Sequence, residues 1–194
     1  MCLFVVQTPS QINFLNISNA IAWACWGVLL VIWIAAIQEW PALPAKFPMH
    51  FDFAGRPDSF VDKSVVAWFL LPVFASVMNT GLSFLAPMIR WMTLKHPEFV
   101  NMPRKEQWLE LDSSARLRTL EPVFGAMRVL QLLVMLLFLF IVISSAKVAS
   151  GQWTVLPVWP TFVVIVAMGI SVAWLLFRSI TAVKKEVKVF SDPL

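Results

Sequence analysis

One imidazole and three carboxylates, His50, Asp52, Asp58 and Asp62, fall close together in the chain with Arg56 and Lys63 among them. Side chains of these types could bind a divalent cation, or could pass a proton to and from a substrate. A zinc site draws on more than one histidine or cysteine, however, and no nucleophile stands beside His50. The pattern therefore points first to structural use: Asp52 or Asp58 capping turns, His50 hydrogen-bonded to backbone, and Lys63 paired with a carboxylate. No metal and no cofactor is expected.

The segment that carries these groups is stiff. Pro44, Pro48 and Pro57 fix their own φ, and residues before proline avoid the helical region, so Ala42 to Leu43 and Phe47 to Phe53 are expected to be extended. Strand alternation would then put His50 and Asp52 on one side and Met49, Phe51 and Phe53 on the other. A turn at Gly55 to Asp58 would bring Asp58 and Asp62 back toward the histidine.

This polar segment lies between two long apolar runs, and composition says what those are. Apolar residues make up 59% of the chain, charged residues 13%, and the mean hydropathy is +0.78. Soluble domains run near 45–50% apolar and about 25% charged, so the class is an all-α integral membrane protein. Crossing a hydrocarbon core takes roughly 20 helical residues. Four stretches qualify, about 20–37, 65–89, 123–146 and 161–177, and a single membrane domain over 1–194 is expected. Residues 38–64 form a short extended outer loop, and 90–122 form a cytoplasmic loop with an amphipathic segment.

Lysine and arginine placement gives the direction. Arg90, Lys95, Arg104, Lys105, Arg116 and Arg118 lie between the second and third spans, and Arg178, Lys184, Lys185 and Lys188 follow the fourth. The positive-inside rule places both termini and this middle loop in the cytoplasm. Trp40, Trp68, Trp153 and Trp159 near the outer ends, with Trp91 and Trp174 near the inner ones, read as headgroup anchors. The first residues carry no basic n-region of a signal peptide, so the first span is expected to be retained. Cys2 and Cys25 have no partner close by in sequence and suit packing.

In the middle loop, Asn101 and Pro103 mark a turn, Lys105 and Trp108 follow, and Asp112 or Ser113 can cap a helix running toward the third span, with a kink at Pro122. The charges suit an interfacial helix lying against headgroups. Inside the second span, Ser76, Asn79, Thr80 and Ser83 recur at helical spacing with Ala75, which makes one polar face directed into the bundle. Such groups favour helix contacts by about 0.6–2 kcal/mol each without implying transport. No carboxylate falls in the middle of a span, which argues against a proton-coupled carrier.

Leu43-Pro44, Phe47-Pro48, His50-Phe51, Gly55, Pro57-Asp58 and Lys63, directly after a first transmembrane helix, resemble the bacterial domain of unknown function shared with the sporulation-delay toxin immunity protein. Asn101-Met102-Pro103-Arg104-Lys105 with Trp108 is similar to a cytoplasmic motif of uncharacterised relatives. The resemblance implies a multi-pass protein of the bacterial inner membrane. In the immunity branch, which is longer and has more spans, it implies protection against a membrane-active peptide and capture of a repressor. It implies no catalytic residue.

Taken together, these residues suggest a non-enzymatic membrane protein. It would act by association through its loops, with the lipid bilayer and a protein or peptide as partners, no nucleic acid, and assembly as an oligomer or as a subunit of a membrane complex. A small transporter or channel component using the Asn79 face is the alternative, and a metal-dependent envelope enzyme centred on His50 a third.

Overall fold

The computed structural model describes residues 9–191, and side chains from 17 to 188. Cys2 lies outside the described residues. Lipid offers the backbone no hydrogen-bond partners, so each long apolar run closes its own bonds as a helix. Among the described residues four helices are long and apolar enough to span: α1 (Pro9–Glu39), α2 (Val65–Lys95), α4 (Ser113–Ala149) and α5 (Trp159–Ser191), with the short α3 (Lys105–Glu110) before α4. α4 packs against α1, α2 and α5.

The sequence places the start of the third span near Val123, whereas α4 begins ten residues earlier and runs through Pro122. Its start is set by Asp112, whose carboxylate accepts from the Ala115 amide at 2.7 Å. That cap satisfies one of the donors a helix leaves free at its N-terminus. At 37 residues α4 is about 55 Å long, well beyond a bilayer core, so its charged first turns project past the hydrocarbon.

Two clusters hold the bundle. At one end, Leu29, Ile32 and Ala36 of α1 meet Trp68 and Ala75 of α2, Val142 and Ala146 of α4, and Phe47 from the loop between α1 and α2. Trp68 is buried here and donates its indole N–H to the Ala36 carbonyl at 2.8 Å, so it locks α2 to α1 instead of anchoring at headgroups as its position suggested. At the other end, Trp108 of α3 is fully buried among Met102, Leu111, Ala115, Phe124, Val183 and Val187. Its indole N–H donates to Thr119 Oγ1 at 2.9 Å, and the Arg116 guanidinium lies 5.9 Å from its ring. The middle loop is thus a folded module on α4 and α5, where sequence suggested an interfacial helix. Burying a large apolar side chain away from water contributes about 1.5–3 kcal/mol. Trp108 gains it in this loop together with the smaller Met102 and Leu111.

Candidate functional site

The loop between α1 and α2 is a β-hairpin, β1 (Lys46–Phe51) paired antiparallel with β2 (Pro57–Asp62). Its register runs Lys46 with Asp62, Phe47 with Val61 and Pro48 with Phe60, then shifts on either side of His50, which pairs with Ser59. Met49 and Asp58 are the residues without a register partner. A bulge of this kind re-aims side chains, and it alters the alternation the sequence suggests. Met49 and His50 are both exposed, and β1 ends before Asp52.

The three carboxylates are consequently used separately. Asp52 Oδ1 accepts from the amides of Ala54 and Arg56, each at 2.8 Å, and its backbone pairs with Arg56 and Gly55, which makes it the organiser of the tip. Asp58 Oδ1 lies 2.6 Å from His50 Nδ1, on the exposed surface. Asp62 faces Lys46 at 3.8 Å, also exposed. His50 thus bonds a carboxylate and not backbone. Lys63, expected to find a carboxylate, instead donates to the carbonyls of Leu43 at 2.9 Å and Pro41 at 3.4 Å, and sits 4.9 Å from the Trp40 ring centroid. It fastens the base of the hairpin to the end of α1. Among the described residues no cluster of three or more histidine, cysteine or acidic side chains has metal-site spacing.

The hairpin tip is tied to the α4–α5 connection. Gly55 adopts φ +76° and is buried, and its carbonyl accepts from the Leu156 amide at 2.8 Å. A Cβ at this position would lie 1.9 Å from the Leu156 carbonyl oxygen, so glycine is required both for its conformation and for the close approach. Pro48 is buried and Pro44 exposed, while Phe51 and Pro57 are half-buried. Held this way, the hairpin presents Phe53 almost bare to its surroundings, 97% exposed, with Phe60 and Met49 also exposed. Beneath β1 lies an apolar groove of about 390 Å³, walled by Phe47, Met49, Phe51, Trp68, Phe74 and Val142.

The second candidate region is within the bundle. Asn79 is fully buried and Ser83 partly so, and both meet Gln131 of α4. The Gln131 amide nitrogen contacts Asn79 Oδ1 at 2.8 Å, the Asn79 carbonyl at 3.2 Å and Ser83 Oγ at 2.9 Å, and its oxygen accepts from Arg128 at 2.8 Å. Ser76 faces α1, where its Oγ accepts from the Trp33 indole at 3.0 Å and donates to the Pro72 carbonyl. Thr80 does not join them and is exposed. The buried stripe of α2 follows Pro72, Ala75, Asn79 and Ala86, and Thr80 lies beyond its edge. Gln131 and Arg128 as partners were missed by sequence reasoning. The available signal was a lone carboxamide in a charge-free span, which must find a partner in lipid.

In the middle loop Asn101, Pro103 and Lys105 are exposed around the buried Trp108, and Arg104 takes a left-handed conformation at φ 53° before α3. Arg118 holds Glu186 of α5 through two bonds of 3.3 and 3.0 Å. The Ala115 amide and then the Ser114 hydroxyl, both donating to Asp112, hold its carboxyl below the usual range.

Four membrane-length helices with a β-hairpin locked over one end and a folded module at the other define a small polytopic membrane protein. The profile of a domain of unknown function, DUF1648, matches residues 27–75, which run from the middle of α1 through the hairpin into α2. The uncharacterized membrane protein YbgB of Bacillus subtilis (strain 168) is 34% identical over 62 residues, 30% of this chain and 68% of YbgB. The chain belongs to this family of membrane proteins of unknown function. No solved structure matches it.

Proposed function

We propose that this is a non-enzymatic protein of the bacterial inner membrane that works by association, with the hairpin on the outer side as its recognition surface and an apolar or amphipathic peptide as its partner. The observation that carries this reading is the combination of a bare Phe53 at the tip with a hairpin fixed at both ends, by Lys63 at its base and Leu156 at its tip. Pre-ordered loops with exposed aromatic anchors bind without a large ordering penalty. The apolar groove under β1 supports the same reading, since it could take a partner's hydrophobic side chain. The resemblance to the domain of the toxin immunity protein supports the choice of a peptide.

The transporter alternative needs the Asn79 face to be open, and here Asn79 and Ser83 are engaged with Gln131. A photo-crosslinking residue in place of Phe53 should capture a peptide or protein partner in intact cells. A Gly55→Val variant, which cannot keep the tip on Leu156, should abolish that capture. If neither position 53 nor 60 captured anything, while reconstituted protein moved a solute at a rate abolished by Asn79→Ala, association would give way to transport.

A further inference from the structure

The two strands of the hairpin have unlike outer edges. β1 packs on α4, and it carries Pro48, which has no N–H to donate and is buried over the apolar groove. The edge of β2 is open. Asp58, Ser59, Phe60 and Asp62 are all exposed, and the proline of this strand, Pro57, stands at its first residue, where it leaves the rest free to pair.

The ladder fixes which backbone groups face outward. The Lys63 amide donates to the Ala45 carbonyl at 2.8 Å, so it points at the first strand. Backbone groups alternate in direction along an antiparallel strand, and the register is regular from Lys46 with Asp62 to Pro48 with Phe60. Val61 therefore bonds Phe47, while the amides and carbonyls of Phe60 and Asp62 point away from β1. Pro48, opposite Phe60 and without an N–H, fits that alternation. No other described residue bonds these outward groups. An exposed edge of this kind is a template for a further strand.

Charge narrows what that strand is. Asp58 and Asp62 flank Phe60 along the edge, and β2 contains no lysine or arginine. Their contacts to His50 and Lys46 are exposed and contribute little, so both carboxylates remain available to a second cation. A second copy of β2 fits badly, because the antiparallel register centred on Phe60 sets Asp58 opposite Asp62 at both ends. We propose that β2 receives a third strand from the partner, an extended peptide segment bonded to the backbone of Phe60 and Asp62. This segment sets lysine or arginine beside Asp58 and Asp62 and an apolar residue beside Phe60. The proposal rests on the association reading above and states how the partner's backbone is held.

The probe is a synthetic peptide of threonines with a central valine and a lysine two places to either side. Its binding to full-length protein in phosphatidylcholine nanodiscs is measured together with hydrogen exchange in the hairpin. Binding should slow exchange at the Phe60 and Asp62 amides and leave Val61 and Lys63, already bonded to β1, as they were. Phe60→Pro removes one outward donor and no bond to β1, and should weaken binding roughly five- to tenfold, the loss of about one hydrogen bond. Phe60→Val, which keeps the N–H, should bind several times more tightly than Phe60→Pro. The same peptide methylated at the backbone nitrogens that face β2, or carrying glutamates in place of its lysines, should bind far more weakly. Equal binding by either altered peptide, undiminished binding to Phe60→Pro, or unslowed exchange at Phe60 and Asp62 would overturn the proposal. Slow exchange at these amides without peptide, lost when each nanodisc holds a single copy, would also overturn it by assigning the edge to a second copy. Photo-capture at position 53 that survives Phe60→Pro would overturn the edge and leave the association reading standing. Peptide seated on β2 of a protein that captures nothing at position 53 would uphold the edge and overturn the role given to Phe53.

Discussion

The Leu156 amide donates to the Gly55 carbonyl at 2.8 Å, and this bond joins the tip of the hairpin to the connection between α4 and α5 across a large separation in sequence. Gly55 can make it only because it has no side chain and a positive φ. Gly55→Ala should therefore lose the bond and add left-handed strain, lowering stability in detergent by about 2–3 kcal/mol. Hydrogen exchange should rise at the Leu156 amide and at Ala54 to Arg56, and little at α2. An unchanged melting point and unchanged exchange would show that the tip is not fastened there.

The three hairpin carboxylates should separate on substitution. Asp52→Ala removes the acceptor for two backbone amides and is expected to destabilise by about 1–2 kcal/mol. Asp58→Ala removes only an exposed contact to His50 and should change stability by less than about 1 kcal/mol. Thermal unfolding of the two variants side by side measures the order. A larger loss at Asp58, or a divalent cation that raises the melting point of the parent but not of Asp58→Ala, would give the His50 pair a role that its geometry does not suggest.

Gln131→Ala should cost more than Asn79→Ala. The first leaves the Asn79 and Ser83 oxygens without their donor, while the second removes a side chain whose own Nδ2 is already buried without a partner. Interhelical bonds of this kind measure about 0.6 kcal/mol and rarely exceed 1.7, so a coupling energy of that size is expected from a double-mutant cycle of the two residues. Zero coupling energy would mean that the two amides do not act together.

Asp112 makes the start of α4 sensitive to acid. Its folded pKa is lowered by the Ala115 amide and the Ser114 hydroxyl, so its contribution is fully present above the unfolded value of about 3.9 and is lost as pH falls through the lowered folded value. Asp112→Asn retains a cap without a titrating group. The stability gap between parent and variant should therefore be constant above about pH 5 and narrow below pH 4. A gap that keeps its size through this range would separate the cap from the carboxylate's charge.

Orientation is tested by labelling. In a variant lacking Cys2 and Cys25, Ala54→Cys should react with an impermeant maleimide added to intact cells, and Ser114→Cys should react only after the membrane is opened. Both positions are exposed in the structure, so access depends on the membrane alone. The reverse pattern would invert the topology drawn from the basic residues.

Much of this molecule is set by its sequence alone. A chain this apolar has to close its backbone hydrogen bonds as membrane-length helices, and that demand is local, so the run beginning at Val65 marks the first residue of α2 directly. The stiff polar hairpin between α1 and α2 is likewise written in its prolines and in Gly55. Partner choice was decided elsewhere. Two register shifts within one short hairpin determine that His50 meets Asp58 and not Asp52, and a bulge leaves little trace in composition. Lys63 caps carbonyls because the end of α1 arrives beside it, Trp108 is buried because α4 and α5 lie together beneath it, and Gln131 reaches Asn79 through the packing of α4 on α2. Each of these contacts joins residues far apart in the chain, and only packing, with its sensitivity to fractions of a helical turn, selects which of the available polar groups meet.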